Sequence, residues 1–418
     1  MGNSNSSSSD PHFASASRAF TQKELEDLKS LFVSLSAQSN ADSSQYVSPS
    51  VFKACFGIDG RLGDRLFDLV SQKRNDQRLT FEDLVIAKGI YEKGTNVEIE
   101  EFIYQLLDVT ADGFVSRSDV EVALSEMLVH IFSHEHGSNF HQHAVNIFLE
   151  SAKFSGKEES LAESIMSFDD FKLWCSLIPS IKKYLGSLLI PSGSDFQVPD
   201  LVIPESIGNQ SVLLQKEYAW HIGGALNQHD LEEWRLLYHS SFHGLSFNTF
   251  FGNISNYEGP TLLIVKDKEG YIYGGYASQA WEKHADFYGD MKSFLFQLYP
   301  KASIYRPTGA NKNLQWCGVN FSSEDIPNGI GFGGRPNHFG FFISASFDQG
   351  HTFACTTFGS PSLSRSTRIN PEVIECWAIV PKGNHQEKQE AAIKGTVLER
   401  FKEDRHMLNM VGLANSSE

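Results

Sequence analysis

The sequence predicts an α+β protein, in which an all-α first half precedes an antiparallel β-sandwich with flanking helices and a C-terminal helix. Between residues 20 and 185, apolar residues recur at helical spacing, as in Ile99, Phe102, Ile103 and Leu106. After residue 210, short apolar segments alternate with turns rich in glycine and proline. Between the halves, residues 186–210 hold three prolines among glycines and serines, which is the composition of a linker.

Composition limits the classes of protein that this chain can represent. With 418 residues, 41% hydrophobic and 21% charged, the chain is long enough for two or three globular domains. Its net charge of −16 repels a phosphate backbone, so nucleic acid is not an expected partner. The five cysteines are scattered and never form a CxxC pair, which indicates reduced thiols rather than a disulfide framework.

The first residues, Met1-Gly2-Asn3-Ser4-Asn5-Ser6, fit the M-G-x-x-x-[ST] pattern of N-myristoylation. We expect Gly2 to be lipidated within a disordered Ser-rich leader, residues 1–19. The alternative is an unmodified polar tail. Since one myristoyl chain binds a membrane only marginally, a partner on the membrane would have to add to the attachment.

Residues 20–185 contain one loop with the spacing of an EF-hand. The twelve residues Asp108–Asp119 lie between two predicted helices, and Gly113 occupies the sharp turn. The expected ligands of a weak calcium site, at which magnesium competes, are Asp108, Thr110, Asp112, the Phe114 carbonyl, Ser116 and Asp119. Two departures weaken the match, because a threonine replaces an acid or amide and an aspartate replaces the last glutamate. The alternative is a loop that keeps this shape without an ion.

Other segments of this half repeat the helix-loop-helix pattern without its ligands. Residues 67–88 and, more weakly, 144–174 have this rhythm, so we expect the Asp108 loop to pair with a silent partner. This half therefore resembles a degenerate EF-hand-like domain. Five histidines crowd the stretch from His130 to His143, but no cysteine or well-spaced acid completes a zinc site there, and a polar helix end is the favoured interpretation.

The second half resembles a TLDc domain. The segment Leu236–Phe250, LLYHSSFHGLSFNTF, is similar to the opening of that family. Further family segments follow in order: LLIVKD from residue 262, GGYAS from 274, FYG from 287, GFGG from 331, FGFFI from 339, TFGSPSL from 357 and ECW from 375. The expected domain covers residues 211–381. Residues 385–411, with charges around an apolar edge, predict a C-terminal helix that packs on the domain or on a partner.

The order of these parts is similar to that of the MTOR-associated, N-myristoylated TLDc proteins. The resemblance implies a non-enzymatic adaptor that binds the soluble sector of the vacuolar-type proton ATPase, with the MTOR complex as a further partner. It also implies a role in oxidative-stress resistance. The expected location is cytoplasmic and peripheral on lysosomal, vacuolar or other endomembranes, and no organic cofactor is expected.

A search for catalytic motifs supports the non-enzymatic interpretation. The sequence has no GxSxG elbow and no HExxH motif, and residues 329–334 lack the Lys-Ser/Thr pair of a phosphate-binding loop. Two rival functions remain as hypotheses. One is a calcium-responsive, myristoylated membrane switch. The other is an oxidative-defence enzyme, whose turnover would depend on His243 or Cys317.

Overall fold

The computed structural model describes residues 11–39, 45–72, 76–132, 141–155, 164–189, 197–208, 212–323 and 325–381. Its contacts divide the chain into two compact units, Met1–Phe196 and Gln197–Glu418. The described part of the first unit is helical, and the strands belong to the second unit. The predicted order of helices before strands is therefore confirmed.

Short helices follow one another through the first unit. They are α1 (Pro11–Arg18), α2 (Gln22–Ser39), α3 (Pro49–Phe56), α4 (Gly60–Val70), α5 (Phe81–Lys93), α6 (Asn96–Leu107), α7 (Arg117–Ile131), α8 (Gln142–Leu149), α9 (Phe168–Leu177) and α10 (Pro179–Leu185). Capping boxes begin α5, α6 and α7, so these helix starts are encoded locally. No helix within the described ranges is long and apolar enough to cross a membrane.

Two short bridges join the loops of the first unit in pairs. Val47, before α3, exchanges backbone hydrogen bonds with Leu79, before α5, at 2.9 and 3.1 Å. Ser116, before α7, bridges antiparallel to Ile165, and Met166 N donates to Val115 O at 2.8 Å. The helix pairs α2–α3 and α4–α5 thus share one bridge, and α6–α7 and α8–α9 share the other.

Helix α1 lies within the segment that the sequence predicts as a disordered leader. Its Ala16 approaches Gly89 of α5 so closely that a Cβ at Gly89 would lie 3.0 Å from the Ala16 Cβ. Phe13 makes an edge contact with Phe81, with ring centroids 6.3 Å apart. The packing of these partly buried apolar side chains on α5 explains why residues 11–18 are helical although the leader is rich in serine. Residues 1–10, including Gly2, lie outside the described residues.

The strands of the second unit form two sheets. In chain order they are β1 (Asp200–Val202), β2 (Glu233–His239), β3 (Thr261–Asp267), β4 (Ile272–Ala277), β5 (Phe294–Tyr299), β6 (Ser303–Tyr305), β7 (Gln315–Gly318), β8 (Gly329–Arg335), β9 (His338–Ser344), β10 (Gly350–His351), β11 (Arg368–Ile369) and β12 (Pro371–Val380). One sheet has the order β1-β2-β12-β3-β4-β5-β6, and the other has the order β11-β10-β9-β8-β7. Strand β1, inside the segment predicted as a linker, pairs parallel to β2, whereas the other pairs are antiparallel.

Three helices accompany these strands: α11 (Lys216–Gly223), α12 (Ser240–His243) and α13 (Phe247–Ile254). Aromatic side chains connect the two sheets. Tyr273 of β4 contacts Phe341 of β9, with ring centroids 5.5 Å apart. The predicted C-terminal helix, residues 385–411, lies outside the described residues.

Candidate functional site

The Asp108 loop, residues 108–119, connects α6 to α7 as the sequence predicts. It turns at Ala111 and Gly113, whose φ angles are +59° and +94°. The exposed Phe114 donates its backbone N–H to Asp112 Oδ1 at 2.9 Å. The six predicted ligand residues thus lie on one compact turn between two helices.

Asp108 is buried and paired with a cation that the sequence analysis missed. Arg65 Nη2, on α4, donates to Asp108 Oδ2 at 3.0 Å, and the two side chains are 3% and 7% exposed. Arg65 Nε also donates to Gln105 O at 3.0 Å. Asp108 also accepts from Asp112 N at Oδ1 and from Gly113 N at Oδ2, both at 3.1 Å. The first predicted ligand is therefore neutralised within the protein.

The last predicted ligand, Asp119, also bonds to protein groups. Its Oδ2 accepts from Ser116 N at 3.0 Å and from Ser116 Oγ at 2.6 Å, which completes the capping box of α7. Its Oδ1 accepts from Thr110 N at 3.2 Å, nine residues earlier. The two ends of the loop are thus joined by a direct hydrogen bond.

These contacts do not favour a cation in the Asp108 loop. The Arg65 guanidinium repels a second positive charge at the same carboxylate. Within the described residues, no group of three His, Cys, Asp or Glu side chains is arranged to hold a metal ion. A calcium ion would have to displace Arg65 and release Asp119 from its cap. The calcium site stays a prediction, and the alternative of a loop that keeps its shape without an ion agrees better with these contacts.

The histidine-rich stretch is divided by the limits of the described residues, and His134 and His136 lie outside them. His130 Nδ1 lies 2.7 Å from Tyr184 Oη, and burial lowers the pKa of His130 below its ordinary value. His141 stacks on Phe132. The described histidines therefore have structural contacts.

In the second unit, the polar side chains of residues 239–243 support the local backbone. His239 Nδ1 accepts from Ser241 N at 3.2 Å, and His243 Nδ1 accepts from His239 N at 3.0 Å. Ser240 Oγ accepts from Ile374 N of β12 at 3.0 Å. Because these groups already hold backbone N–H groups, the segment is a structural junction between β2, α12 and β12.

Glu375 is a buried acid at the same junction. It accepts from Leu213 N at 2.5 Å, from Leu214 N at 3.3 Å and from Trp377 Nε1 at 2.8 Å. His239 Nε2 lies 3.5 Å from it. Burial outweighs these hydrogen bonds and raises the pKa of Glu375 to about 7. Glu375 therefore attaches the segment before α11 to the central strand β12.

The cysteine that the enzyme hypothesis depends on is poorly suited to nucleophilic chemistry. Cys317 on β7 is fully buried, and burial raises the pKa of its thiol far above the ordinary value. Since the thiolate is the reactive form, this environment suppresses reactivity.

Both residues that the sequence analysis missed have features that could have revealed them. Arg65 shares the apolar face of α4 with Leu62, Leu66 and Leu69, so a buried cation in need of an acid was foreseeable. Glu375 interrupts the apolar run of β12, which is typical of a buried acid with fixed donors.

The comparison with protein families agrees with the resemblance found in the sequence. Residues 207–380 match the TLDc domain, and strands β2 to β12 lie inside that range. The match begins after β1 and ends at the last residue of β12.

Two of the individual relatives match a longer part of the chain than residues 207–380. MTOR-associated protein MEAK7 of Mus musculus is 32% identical over 256 residues, which cover 59% of this chain and 55% of the relative. MEAK7 of Xenopus laevis is 32% identical over 284 residues, which cover 65% of this chain and 60% of the relative. Oxidation resistance protein 1 of Rattus norvegicus is 28% identical over 145 residues, which cover 35% and 16%. The chain thus spans a little over half the length of these two MEAK7 proteins. The chain thus matches the TLDc domain over residues 207–380 and is similar to the MTOR-associated MEAK7 proteins.

Proposed function

We propose that this protein is a non-enzymatic regulator that binds the soluble sector of the vacuolar-type proton ATPase. Its TLDc domain and C-terminal residues 385–411 make the contact in this proposal. Myristoylated Gly2 brings the protein to a lysosomal or vacuolar membrane. There it acts in MTOR-linked signalling and in resistance to oxidative stress.

The TLDc match is the observation that carries this proposal. It includes the strands from β2 to β12, and the names of the matched relatives include association with MTOR and resistance to oxidation. The contacts of the junction add support. His239, Ser240 and His243 each accept a backbone N–H, as a scaffold requires.

The finer architecture is part of the same proposal. We infer that the helical unit consists of two EF-hand-like pairs, because Val47–Leu79 and Ser116–Ile165 bridge its loops two by two. We also infer that the two sheets are the layers of a sandwich, because Tyr273 and Phe341 meet between them. Both parts then serve as scaffolds for binding surfaces.

A pull-down of the full chain with the purified soluble sector of the pump tests the function, and lysine cross-linking maps the contact. The proposal expects capture, with cross-links from lysines in residues 207–380, such as Lys283 and Lys312. A Gly2→Ala chain is the matched control and binds equally, because the soluble sector contains no membrane. Absence of capture, or cross-links confined to the helical unit, would refute the TLDc-mediated contact.

Two further measurements, the same pull-down with added calcium and a peroxide-turnover assay, test the two rival functions. A calcium-dependent change in capture would support the membrane switch, which requires the ion to displace Arg65 from Asp108. The oxidative-defence enzyme requires peroxide turnover by the purified chain, lost in Cys317→Ser or His243→Ala. The burial of Cys317 argues against that turnover.

A further inference from the structure

A groove on the helical unit lies between α4, α5 and α6. Its volume is about 380 Å³, which is within the range of small-molecule sites, roughly 300–1,000 Å³. Its apolar lining consists of Leu69, Val70, Ile86, Ala87, Ile90 and Phe102. Glu98 and Glu101 are exposed on α6 at its border. The groove therefore offers an apolar surface beside two acidic side chains.

The N-terminal helix reaches the edge of this groove. His12, in the first turn of α1, contributes to its lining. The close approach of Ala16 to Gly89 and the contact of Phe13 with Phe81 fix α1 on α5. The first turn of α1 therefore lies at the groove. Gly2 and His12 are ten positions apart in the sequence, and ten residues of extended chain span up to about 33 to 36 Å.

We infer that this groove binds the acyl chain attached to Gly2. The inference rests on the lipidation in the proposed function, in which acyl transfer from myristoyl-coenzyme A to the Gly2 amine forms an amide and releases coenzyme A. Charge favours this occupant over free lipids. Glu98 and Glu101 repel a fatty-acid carboxylate or an anionic headgroup, whereas an amide-linked chain carries no charge at the groove.

The acyl chain then has two competing sites, the groove and the bilayer. An exposed myristoyl group binds membranes with a constant of about 10⁴ M⁻¹. Groove binding reduces the apparent constant in proportion to the fraction of time that the chain is released. The groove thereby keeps the protein off membranes until another contact favours release.

The test uses the full chain, co-expressed with an N-myristoyltransferase, with lipidation verified by intact mass. Isotope-labelled isoleucine methyl groups report on Ile86 and Ile90, and a labelled acyl chain reports its neighbours by nuclear Overhauser effects. Ala87→Trp fills the groove. Val97→Trp is the matched control, because Val97 is on α6, is 55% exposed and does not line the groove.

The inference expects Overhauser effects between the acyl chain and the methyl groups of Ile86 and Ile90. It also expects Ala87→Trp to raise binding to neutral phosphatidylcholine vesicles about tenfold, if the groove holds the chain for about nine-tenths of the time. Val97→Trp leaves that binding unchanged.

If the acylated protein shows no Overhauser effects between its acyl group and the methyl groups of Ile86 and Ile90, the groove inference is overturned, but the lipidation of Gly2 is not. If co-expression with the N-myristoyltransferase adds no acyl mass to the protein, both the groove inference and the lipidation of Gly2 are overturned. The methyl measurement on the unsubstituted acylated chain decides the outcome even if Ala87→Trp does not fold.

Discussion

Arg65 Nη2 and Asp108 Oδ2 lie 3.0 Å apart in the interior of the helical unit, although 43 residues separate them in the sequence. Arg65 belongs to α4, whose helix pair is bridged through Leu79, whereas Asp108 begins the loop that is bridged to Ile165. The ion pair therefore connects helices α2 to α5, which share the first bridge, with helices α6 to α9, which share the second. It supplies to the Asp108 loop the positive charge that a bound cation supplies in an EF-hand.

Replacing Arg65 by methionine is expected to destabilise the helical unit strongly. The substitution keeps much of the side-chain volume but leaves the Asp108 carboxylate buried without a counter-charge, a change that costs about 3–5 kcal/mol. Urea denaturation followed by circular dichroism measures the loss. Lys53→Met is the control, because Lys53 pairs with the largely exposed Asp64 and should cost less than about 1 kcal/mol. Equal losses for the two variants would contradict the importance of the buried pair.

The same substitution should make the Asp108 loop more responsive to calcium. Without the guanidinium, the carboxylate of Asp108 is available to a divalent ion, which stabilises the folded chain by mass action. We expect calcium to raise the melting temperature of the Arg65→Met chain more than that of the unsubstituted chain. Adding Asp108→Asn should remove this increment. An equal effect of calcium on all three chains would contradict competition between Arg65 and the ion.

The sequence predicted the elements of this fold better than its long-range contacts. Helix periodicity and the turn glycine located α6, the Asp108 loop and α7, because these depend on neighbouring residues. The pairing of Asp108 with Arg65 depends on how α4 packs on α6, which spacing along the chain does not specify. The interpretation of Asp108 as an available ligand therefore omitted the group that occupies it.

Composition alone also fails to predict the structure of two short segments. Composition assigns residues 11–18 to a leader because serines dominate it, yet Phe13 and Ala16 pack on an apolar surface of α5. Residues 200–202 follow two prolines in the predicted linker, yet they form β1 because β2 offers them a free edge. In both cases tertiary packing provides a stabilisation that local composition does not reveal.

Glu375 should make the stability of the TLDc domain depend on pH. Burial raises its pKa from the ordinary value of 4.5 to about 7, so the folded chain binds this proton more tightly than the unfolded chain does. The resulting stabilisation is fully present below pH 4.5, is lost as the pH rises towards 7, and stays constant above. The shift corresponds to at most about 3 kcal/mol.

Glu375→Gln tests this dependence, because glutamine stays neutral throughout. Its one oxygen can still accept from Leu214 N and Trp377 Nε1, whereas its NH2 group replaces the oxygen that accepts from Leu213 N, so the trend with pH rather than the absolute stability is compared. The stability of this variant relative to the unsubstituted chain should rise between pH 4.5 and 7.5, as measured by urea denaturation. Glu372→Gln, exposed on the same strand, should show little such trend. Parallel pH profiles for Glu375→Gln and the unsubstituted chain would contradict the raised pKa.

The five thiols should react at very different rates in the folded protein. Cys55 is partly exposed, whereas Cys175, Cys317, Cys355 and Cys376 are buried. Burial also raises the pKa of Cys376 to about 12, which leaves little thiolate at neutral pH. A chromogenic disulfide reagent at pH 8 should therefore label Cys55 first, and urea should release the rest. Rapid labelling of Cys317 would contradict this order and favour the enzyme hypothesis.

Gly275 of β4 is expected to tolerate no side chain, because Phe332 of the facing sheet lies against its backbone. A Cβ at Gly275 would lie 2.6 Å from the nearest ring carbon of Phe332. Gly275→Ala should therefore cost about 1–3 kcal/mol through overpacking, as measured by chemical denaturation. Gly309→Asn is the control, because nothing lies within 4 Å of a Cβ there and asparagine tolerates its φ of +84°.

A second substitution identifies the cause of the expected loss. Phe332→Leu removes the ring that a side chain at residue 275 would meet, so it should restore part of the stability of the Gly275→Ala chain. In the presence of Gly275, the same substitution should be destabilising, because it leaves a cavity between the sheets. This reversal of sign is expected only if the two residues are in direct contact. Additive losses in the double variant would show that the two sheets do not pack through these residues.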